Sequence, residues 1–227
     1  MVHLKILRVS FLLGCCVLLT ISSLIAQNKT NDNFYQKGGK LYSIGSEYVS
    51  GFDTSMEAYS LRIGYGSMLS KNLAFYGLLD LSTTNGYHIL KMNSDTEHLK
   101  AESFGLGTSF LLRWYPIQIV GSTMFLDLSG GILYTFKSFP PQGTNLNFTA
   151  RPGVWLTAQL NSTTQLSLGV NKFHLSNWQG YKHPYNPAFD GLGIFATIVF
   201  GGKSTTDQNH FNIFNSTLSY APIALEF

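Results

Sequence analysis

Residues 103–114 read SFGLGTSFLLRW, and their side chains alternate between two kinds. One set is bulky and apolar and contains Phe104, Leu106, Phe110, Leu112 and Trp114. The opposing set is small, polar or charged and contains Ser103, Gly105, Gly107, Ser109 and Arg113. A period of two predicts a β-strand with one apolar face and one small, polar face.

The same alternation recurs along the chain, with turn signals between the repeats. It predicts eight strands, at roughly 40–50, 57–69, 72–83, 101–115, 124–136, 147–160, 164–176 and 190–201. A soluble lipocalin-like barrel would bury the apolar face and expose Lys, Glu and Thr on the other. Here the polar face is rich in Gly and Ser with sparse Arg and Asp, which suits the crowded interior of a small barrel in lipid. We therefore expect an all-β protein, an eight-stranded antiparallel transmembrane β-barrel over 39–201 with a C-terminal extension.

The composition supports a membrane protein. The chain is 44% hydrophobic and only 12% charged, against about 25% charged in typical soluble domains. Without Lys5 and Arg8 of the leader, 13 basic residues face 12 acidic ones. This near-neutral balance does not favour a nucleic-acid partner. No stretch after the leader is apolar enough for a membrane-spanning helix.

The two ends of the sequence lie outside the predicted barrel. Residues 1–26 have the charge and apolar run of a secretory signal peptide, with a membrane anchor or lipoprotein processing at Cys15 as alternatives. Both cysteines lie in this segment, so the mature chain has no thiol. Residues 27–38 are polar, and we expect them to be disordered. Residues 202–227 form a tail to which the sequence assigns no role.

The lengths of the connections predict the orientation of the barrel. The connections at 84–100, 137–146 and 177–189 are long, whereas those at 70–71 and 161–163 are short. Outer-membrane barrels have short periplasmic turns and long outer loops. The stretch 171–190 should therefore lie at the external end, in the bacterial outer membrane.

This stretch carries chemically capable side chains on one face. In the strand at 164–176, His174 and Ser176 share parity with Leu166, Leu168 and Val170, which is the lipid-facing register. Asp190 has the lipid-facing parity of the next strand. Because antiparallel neighbours place the start of one strand beside the end of the other, the three groups should converge at the outer rim. From the residues alone, a catalytic cluster and an interfacial polar belt remain equally open.

The motif of this stretch resembles that of a known family. His174-Leu-Ser176-Asn177, followed by Gly180, Asn186-Pro187 and Asp190, is similar to the signature of the lipid A 3-O-deacylase family, the acyloxyacyl hydrolase-like outer-membrane barrels. The resemblance implies an esterase that removes an ester-linked 3-hydroxyacyl chain from lipid A. It implies Ser176 as nucleophile, His174 as general base and Asp190 as the acid that orients the imidazole.

The resemblance also implies an oxyanion and substrate-binding group, formed by Asn186, Gly180 and Asn177. This sequence departs from the family at Asp190, where the family has Glu, and in a loop about two residues longer. The implied partner is lipid A of lipopolysaccharide in the outer leaflet. No cofactor is implied, and His88, His98, His183 and His210 lack metal-ligand spacing.

Two other functions stay open at this stage. One is a non-catalytic small barrel, structural or adhesive, and the other is an acyltransferase barrel of the palmitoyl-transfer type. The sequence also leaves the oligomeric state open, a homodimer included. A set of charged residues has interior parity and predicts an ion-pair network inside the barrel: Arg62, Arg113, Arg151, Asp80 and Asp127.

Overall fold

The computed structural model describes residues 34–52, 54–92, 95–119, 122–177 and 188–202. They form ten strands: β1 (Lys40–Gly51), β2 (Glu57–Ser70), β3 (Leu73–Asn85), β4 (Tyr87–Met92), β5 (Asp95–Lys100), β6 (Ser103–Ile119), β7 (Ser122–Thr135), β8 (Leu146–Asn161), β9 (Thr164–Asn177) and β10 (Phe189–Gly202). The predicted signal peptide at 1–26 and the tail beyond residue 202 lie outside the described residues. The described ranges contain no helix long and apolar enough to cross a membrane.

Eight of these strands close into an antiparallel barrel, in the order β1-β10-β9-β8-β7-β6-β3-β2. Closure is made by β1 and β10, which pair without interruption from Lys40 opposite Gly202 to Gly51 opposite Gly191. A closed barrel gives each backbone amide of the wall a partner on a neighbouring strand, which is the condition for crossing lipid without helices. The predicted eight-stranded all-β barrel is confirmed.

The two faces of the wall differ in chemistry as the alternation predicts. The outward face carries large apolar side chains that are exposed in the isolated protein, such as Phe110 at 66% and Leu128 at 60%. On β2, Leu61 and Ile63 point outward while Ser60 and Arg62 are buried. A wall of this kind is stable only where lipid covers it. The barrel therefore spans a membrane with its apolar face outward.

The interior holds the predicted ion-pair network. Arg62 Nε lies 2.9 Å from Asp80 Oδ1, and Arg113 forms two hydrogen bonds to Asp127, at 2.9 and 2.8 Å. All four side chains are nearly inaccessible to solvent. These buried charges are paired, as the cost of burying a lone charge requires.

Two features of the interior were not predicted from the alternation of side chains. Glu47 joins the network, because its Oε2 lies 3.2 Å from Arg151 Nε. Two apolar clusters fill the barrel on either side of the charges. One of them stacks Phe125 against Trp155, with ring centroids 5.6 Å apart, beside the guanidinium of Arg113. The lumen is thus packed with side chains, as expected for a barrel of eight strands.

Two segments differ from the sequence-based expectation. The predicted long loop at 84–100 contains a two-stranded hairpin, in which β4 pairs with β5 from Tyr87 opposite Lys100 to Met92 opposite Asp95. Residues 34–38, placed by composition in a disordered segment, are ordered against the barrel. Phe34 is buried in the apolar cluster near Tyr115, and Tyr35 donates a hydrogen bond to Thr123 at 3.2 Å. Burial of these two rings explains why a mostly polar segment adopts a fixed position.

Candidate active site on the outer rim

Strand pairing brings His174 and Asp190 together. β9 and β10 are antiparallel neighbours, and the register places Asp190 directly opposite His174. His174 Nδ1 and Asp190 Oδ1 lie 3.0 Å apart, a hydrogen-bonding distance. Both side chains are on the outward face, with exposed fractions of 41% and 38%. The predicted contact between imidazole and carboxylate is therefore present in the structure.

Ser176 lies on the same face, two residues further along β9. Two residues of a strand cover about 6.6 Å, within reach of two side chains that lean toward each other. Ser176 is half-buried, and its cross-strand neighbour on β8 is Phe148. Over the described ranges, no hydrogen bond joins the Ser176 hydroxyl to the His174 ring. Because Asp190 engages Nδ1, Nε2 is the ring nitrogen left to act on a hydroxyl.

The ammonium group of Lys172 shares the carboxylate of Asp190 with the His174 ring. Lys172 Nζ lies 3.5 Å from Asp190 Oδ1, the same oxygen that faces His174, and the lysine side chain is 59% exposed. Along the strand, Lys172 is opposite Leu192, so its chain extends toward the outer rim to reach Asp190. Lysines at a membrane edge commonly extend in this way toward water. The sequence placed Lys172 on the outward face but did not assign it to the site.

Asn177 lies on the other face of β9. Its side chain is buried in the barrel end, and its Oδ1 accepts a hydrogen bond from the Thr144 backbone amide at 3.1 Å. The contact is close, since a Cβ added to Gly143 would lie 2.6 Å from the same oxygen. Asn177 therefore holds the connection between β7 and β8. This position does not fit the predicted contact with substrate beside Ser176.

The remaining predicted members of the site, Gly180 and Asn186, lie outside the described residues. The described part of the chain contains no group of three or more His, Cys, Asp or Glu side chains arranged to hold a metal ion. The rim thus carries a serine and an imidazole two residues apart on β9, a carboxylate opposite the imidazole on β10, and an ammonium beside the carboxylate. Such a set can move a proton from a hydroxyl to an imidazole that a carboxylate orients.

Comparison with solved structures finds small outer-membrane barrels. The outer membrane enzyme PagL is 18% identical, with a TM-score of 0.46, over 68% of this chain and 97% of that one. The outer membrane protein OprG from Pseudomonas aeruginosa is 10% identical, with a TM-score of 0.46, over 74% and 98%. The outer membrane protein AlkL, solved by solid-state NMR in lipid bilayers, is 11% identical, with a TM-score of 0.41, over 75% and 93%.

These likenesses concern the fold and assign no activity to this chain. No protein-family model matches the sequence, and no curated protein matches it either. The location in the bacterial outer membrane follows from the closed barrel with an apolar exterior, the form in which chains cross that membrane.

Proposed function

We propose that this barrel is an outer-membrane serine esterase that removes an ester-linked 3-hydroxyacyl chain from lipid A of lipopolysaccharide. The observation that carries the proposal is the 3.0 Å contact between His174 Nδ1 and Asp190 Oδ1 on the outward face. Ser176 lies on that face two residues away. A polar pair of this kind on the lipid side of a barrel is costly, which favours a purpose beyond packing.

The reaction follows from the roles that these groups can take. The Ser176 oxygen attacks the ester carbonyl while His174 Nε2 takes the hydroxyl proton, and Asp190 stabilises the resulting imidazolium. Collapse of the tetrahedral intermediate releases the sugar hydroxyl, which receives the proton from His174, and leaves the acyl group on Ser176. Water then attacks the acyl-enzyme with His174 again as base, which frees the 3-hydroxy acid and restores the serine.

The location of the site suits a substrate held in the membrane. A lipid in the outer leaflet diffuses laterally along the barrel wall, so a site on the outward face needs no deep pocket. At the outer rim the acyl chains of the lipid would lie along the apolar wall while the sugar stays at the headgroup level. The outward positions of His174 and Asp190, each about two-fifths exposed, support this mode of access.

The aspartate in place of the family's glutamate is compatible with this mechanism. Its side chain is one methylene shorter, yet direct cross-strand pairing of His174 with Asp190 brings Oδ1 within hydrogen-bonding distance of Nδ1. Side chains directly opposite on antiparallel strands have Cβ atoms about 5 Å apart. The shorter acid therefore reaches the imidazole without rearrangement of the backbone.

A second candidate function is a non-catalytic barrel with a polar rim. The observation that favours it is the Lys172 ammonium, which shares Asp190 Oδ1 with His174. A carboxylate between an imidazole and an ammonium is also what a belt of headgroup-binding side chains would present. In this case Ser176 would have no chemical task.

Lipid A mass spectra of cells with and without expression of the full chain separate the candidates. Loss of one 3-hydroxyacyl mass is the result that we expect. An unchanged spectrum would favour the non-catalytic barrel, and a gain of one acyl mass would favour an acyltransferase.

A further inference from the structure

A second feature of the outward wall lies away from Ser176. A groove of about 680 Å³ crosses β10, β1, β2 and β3 and reaches β6. Its floor is low where two short side chains, Ser46 and Ala196, are directly paired across β1 and β10. Larger apolar side chains form its walls: Leu61, Leu81, Phe104 and Ile194. A volume of this order falls in the range of about 300–1,000 Å³ that small-molecule sites occupy.

The groove continues to the outer rim. A second cavity of about 560 Å³ lies over β2, β3 and β6, and it shares Tyr59, Thr83 and Phe104 with the first. The two cavities therefore adjoin as one grooved surface on the wall, and Glu102 and Lys137 line the outer end of the second cavity. Its shape fits an elongated apolar chain with a polar end.

Glu57, at the start of β2, lies beside the groove and is a carboxylate without a cation among the described residues. Tyr48 donates a hydrogen bond to Glu57 Oε1 at 2.8 Å, and Tyr59 donates one to Oε2 at 3.1 Å. The two tyrosines line the groove, and their ring centroids are 5.0 Å apart. Of the carboxylates whose side chains the structure describes, Glu57 is the one without an ion pair. A carboxylate flanked by aromatic rings is suited to an ammonium group.

We propose that this groove is a binding site for one lipid with an ammonium head, whose acyl chain lies over Ser46 and Ala196 and whose ammonium binds Glu57 between Tyr48 and Tyr59. The lipid surrounding the barrel supplies the chain, and the uncompensated charge of Glu57 selects the head. The site does not depend on the proposed esterase, because Ser176 lies on β9 and contributes nothing to it.

Lipid retention tests the proposal directly. The full chain is purified in detergent and incubated with equal amounts of phosphatidylethanolamine, phosphatidylcholine and phosphatidylglycerol that have identical acyl chains, and the bound lipid is counted by native mass spectrometry. We expect the ethanolamine lipid to exceed the glycerol lipid by roughly three- to tenfold, with one bound per barrel, as a single charge-assisted contact provides. Equal retention of the two, or more glycerol lipid, would overturn the proposal.

Two kinds of variant test the head contact and the chain contact separately. Glu57→Gln should abolish the preference for the ethanolamine lipid while total retention persists. Ser46→Phe and, as a second filling variant, Ala196→Leu should lower retention of all three lipids. Gly130→Leu is the control, since it adds an outward side chain on β7, where a Cβ meets only the Thr149 carbonyl oxygen at 3.6 Å.

Three results would contradict the proposed site. One is a preference that survives in Glu57→Gln. Another is retention at the parent level by filling variants that remain folded in heat-modifiable gel mobility. The last is an excess of the glycerol lipid that appears when Mg²⁺ is added, which would show a divalent cation on Glu57 bridging to a phosphate.

Discussion

The carboxylate of Asp190 meets an imidazole and an ammonium through one oxygen, at 3.0 Å from the His174 ring and 3.5 Å from the Lys172 ammonium. Both contacts are partly exposed, so their Coulomb energy is screened by water and salt. Under the proposed mechanism, the contribution of Asp190 is to fix the orientation and tautomer of the imidazole and to stabilise the imidazolium during the reaction.

Substitution of Asp190 tests whether its carboxylate orients the His174 imidazole. Asp190→Asn is expected to keep the barrel folded and to slow deacylation by about 10²–10⁴-fold, because an amide no longer holds the reactive tautomer. Asp190→Glu should retain activity under the proposed mechanism, since glutamate is the acid of the family that the motif resembles. Rates of release of the 3-hydroxy acid from purified lipid A provide the measurement. Asp190→Asn at the parent rate would make Asp190 a rim residue only.

Asn177 differs from its neighbour Ser176 in the face that it occupies. Asn177→Ala removes the acceptor of the Thr144 amide, and we expect a loss of about 1 kcal/mol in the free energy of unfolding, the usual worth of one hydrogen bond. Deacylation should persist, because the side chain points into the barrel end. Denaturant titration and the lipid A assay on one preparation check both. Unchanged stability with lost activity would restore the substrate contact that the sequence predicted.

At the scale of the strands, alternation was sufficient to predict the barrel and the convergence of His174 with Asp190. Both depend only on parity and on antiparallel pairing, which a sequence displays. The hairpin of β4 and β5 was missed because 87–100 mixes apolar and charged residues without a regular period. The role of Asn177 was missed because its partner, Thr144, is 33 residues away and belongs to a connection whose course no local pattern specifies. The order of residues 34–38 depends likewise on distant contacts of Phe34 and Tyr35.

The buried pair between β6 and β7 should contribute strongly to the stability of the wall. Asp127→Ala leaves the Arg113 guanidinium, 3% exposed and stacked over Phe125, without its carboxylate. We expect a loss of about 3–5 kcal/mol, the cost of leaving one partner of a buried ion pair alone. The temperature at which the barrel loses its folded gel mobility reports this loss of stability. Glu102→Ala is the control, because it breaks the exposed pair between Glu102 and Lys100 and should leave this temperature unchanged. Equal shifts in the two variants would refute the buried network as a stabilising element.

At the scale of the whole molecule, the direction of insertion decides whether the rim site meets lipopolysaccharide. We expect the outside of the cell to be faced by the 137–145 connection and by the barrel end where β9 meets β10. The turn at 71–72 should face the periplasm. Lys137 and Lys71 are both exposed, and the predicted mature chain has no cysteine, so each position can carry a single reporter thiol. Lys137→Cys should react with an impermeant maleimide in intact cells, and Lys71→Cys only after permeabilisation. The reverse pattern would place the site in the wrong leaflet.

Lipid A mass spectra can show whether Ser176 is a nucleophile on the lipid-facing rim. The spectra are compared for membranes that contain the parent chain or Ser176→Ala, and heat-modifiable gel mobility is measured on the same preparations. The substitution removes one half-buried hydroxyl from the outward face, so the free energy of unfolding should change by no more than about 0.5 kcal/mol. If Ser176 is the nucleophile, the variant barrel should be folded and its lipid A should keep every acyl chain, while the parent's lipid A loses one 3-hydroxyacyl mass. A folded Ser176→Ala barrel that deacylates as fast as the parent would show that Ser176 is not the nucleophile.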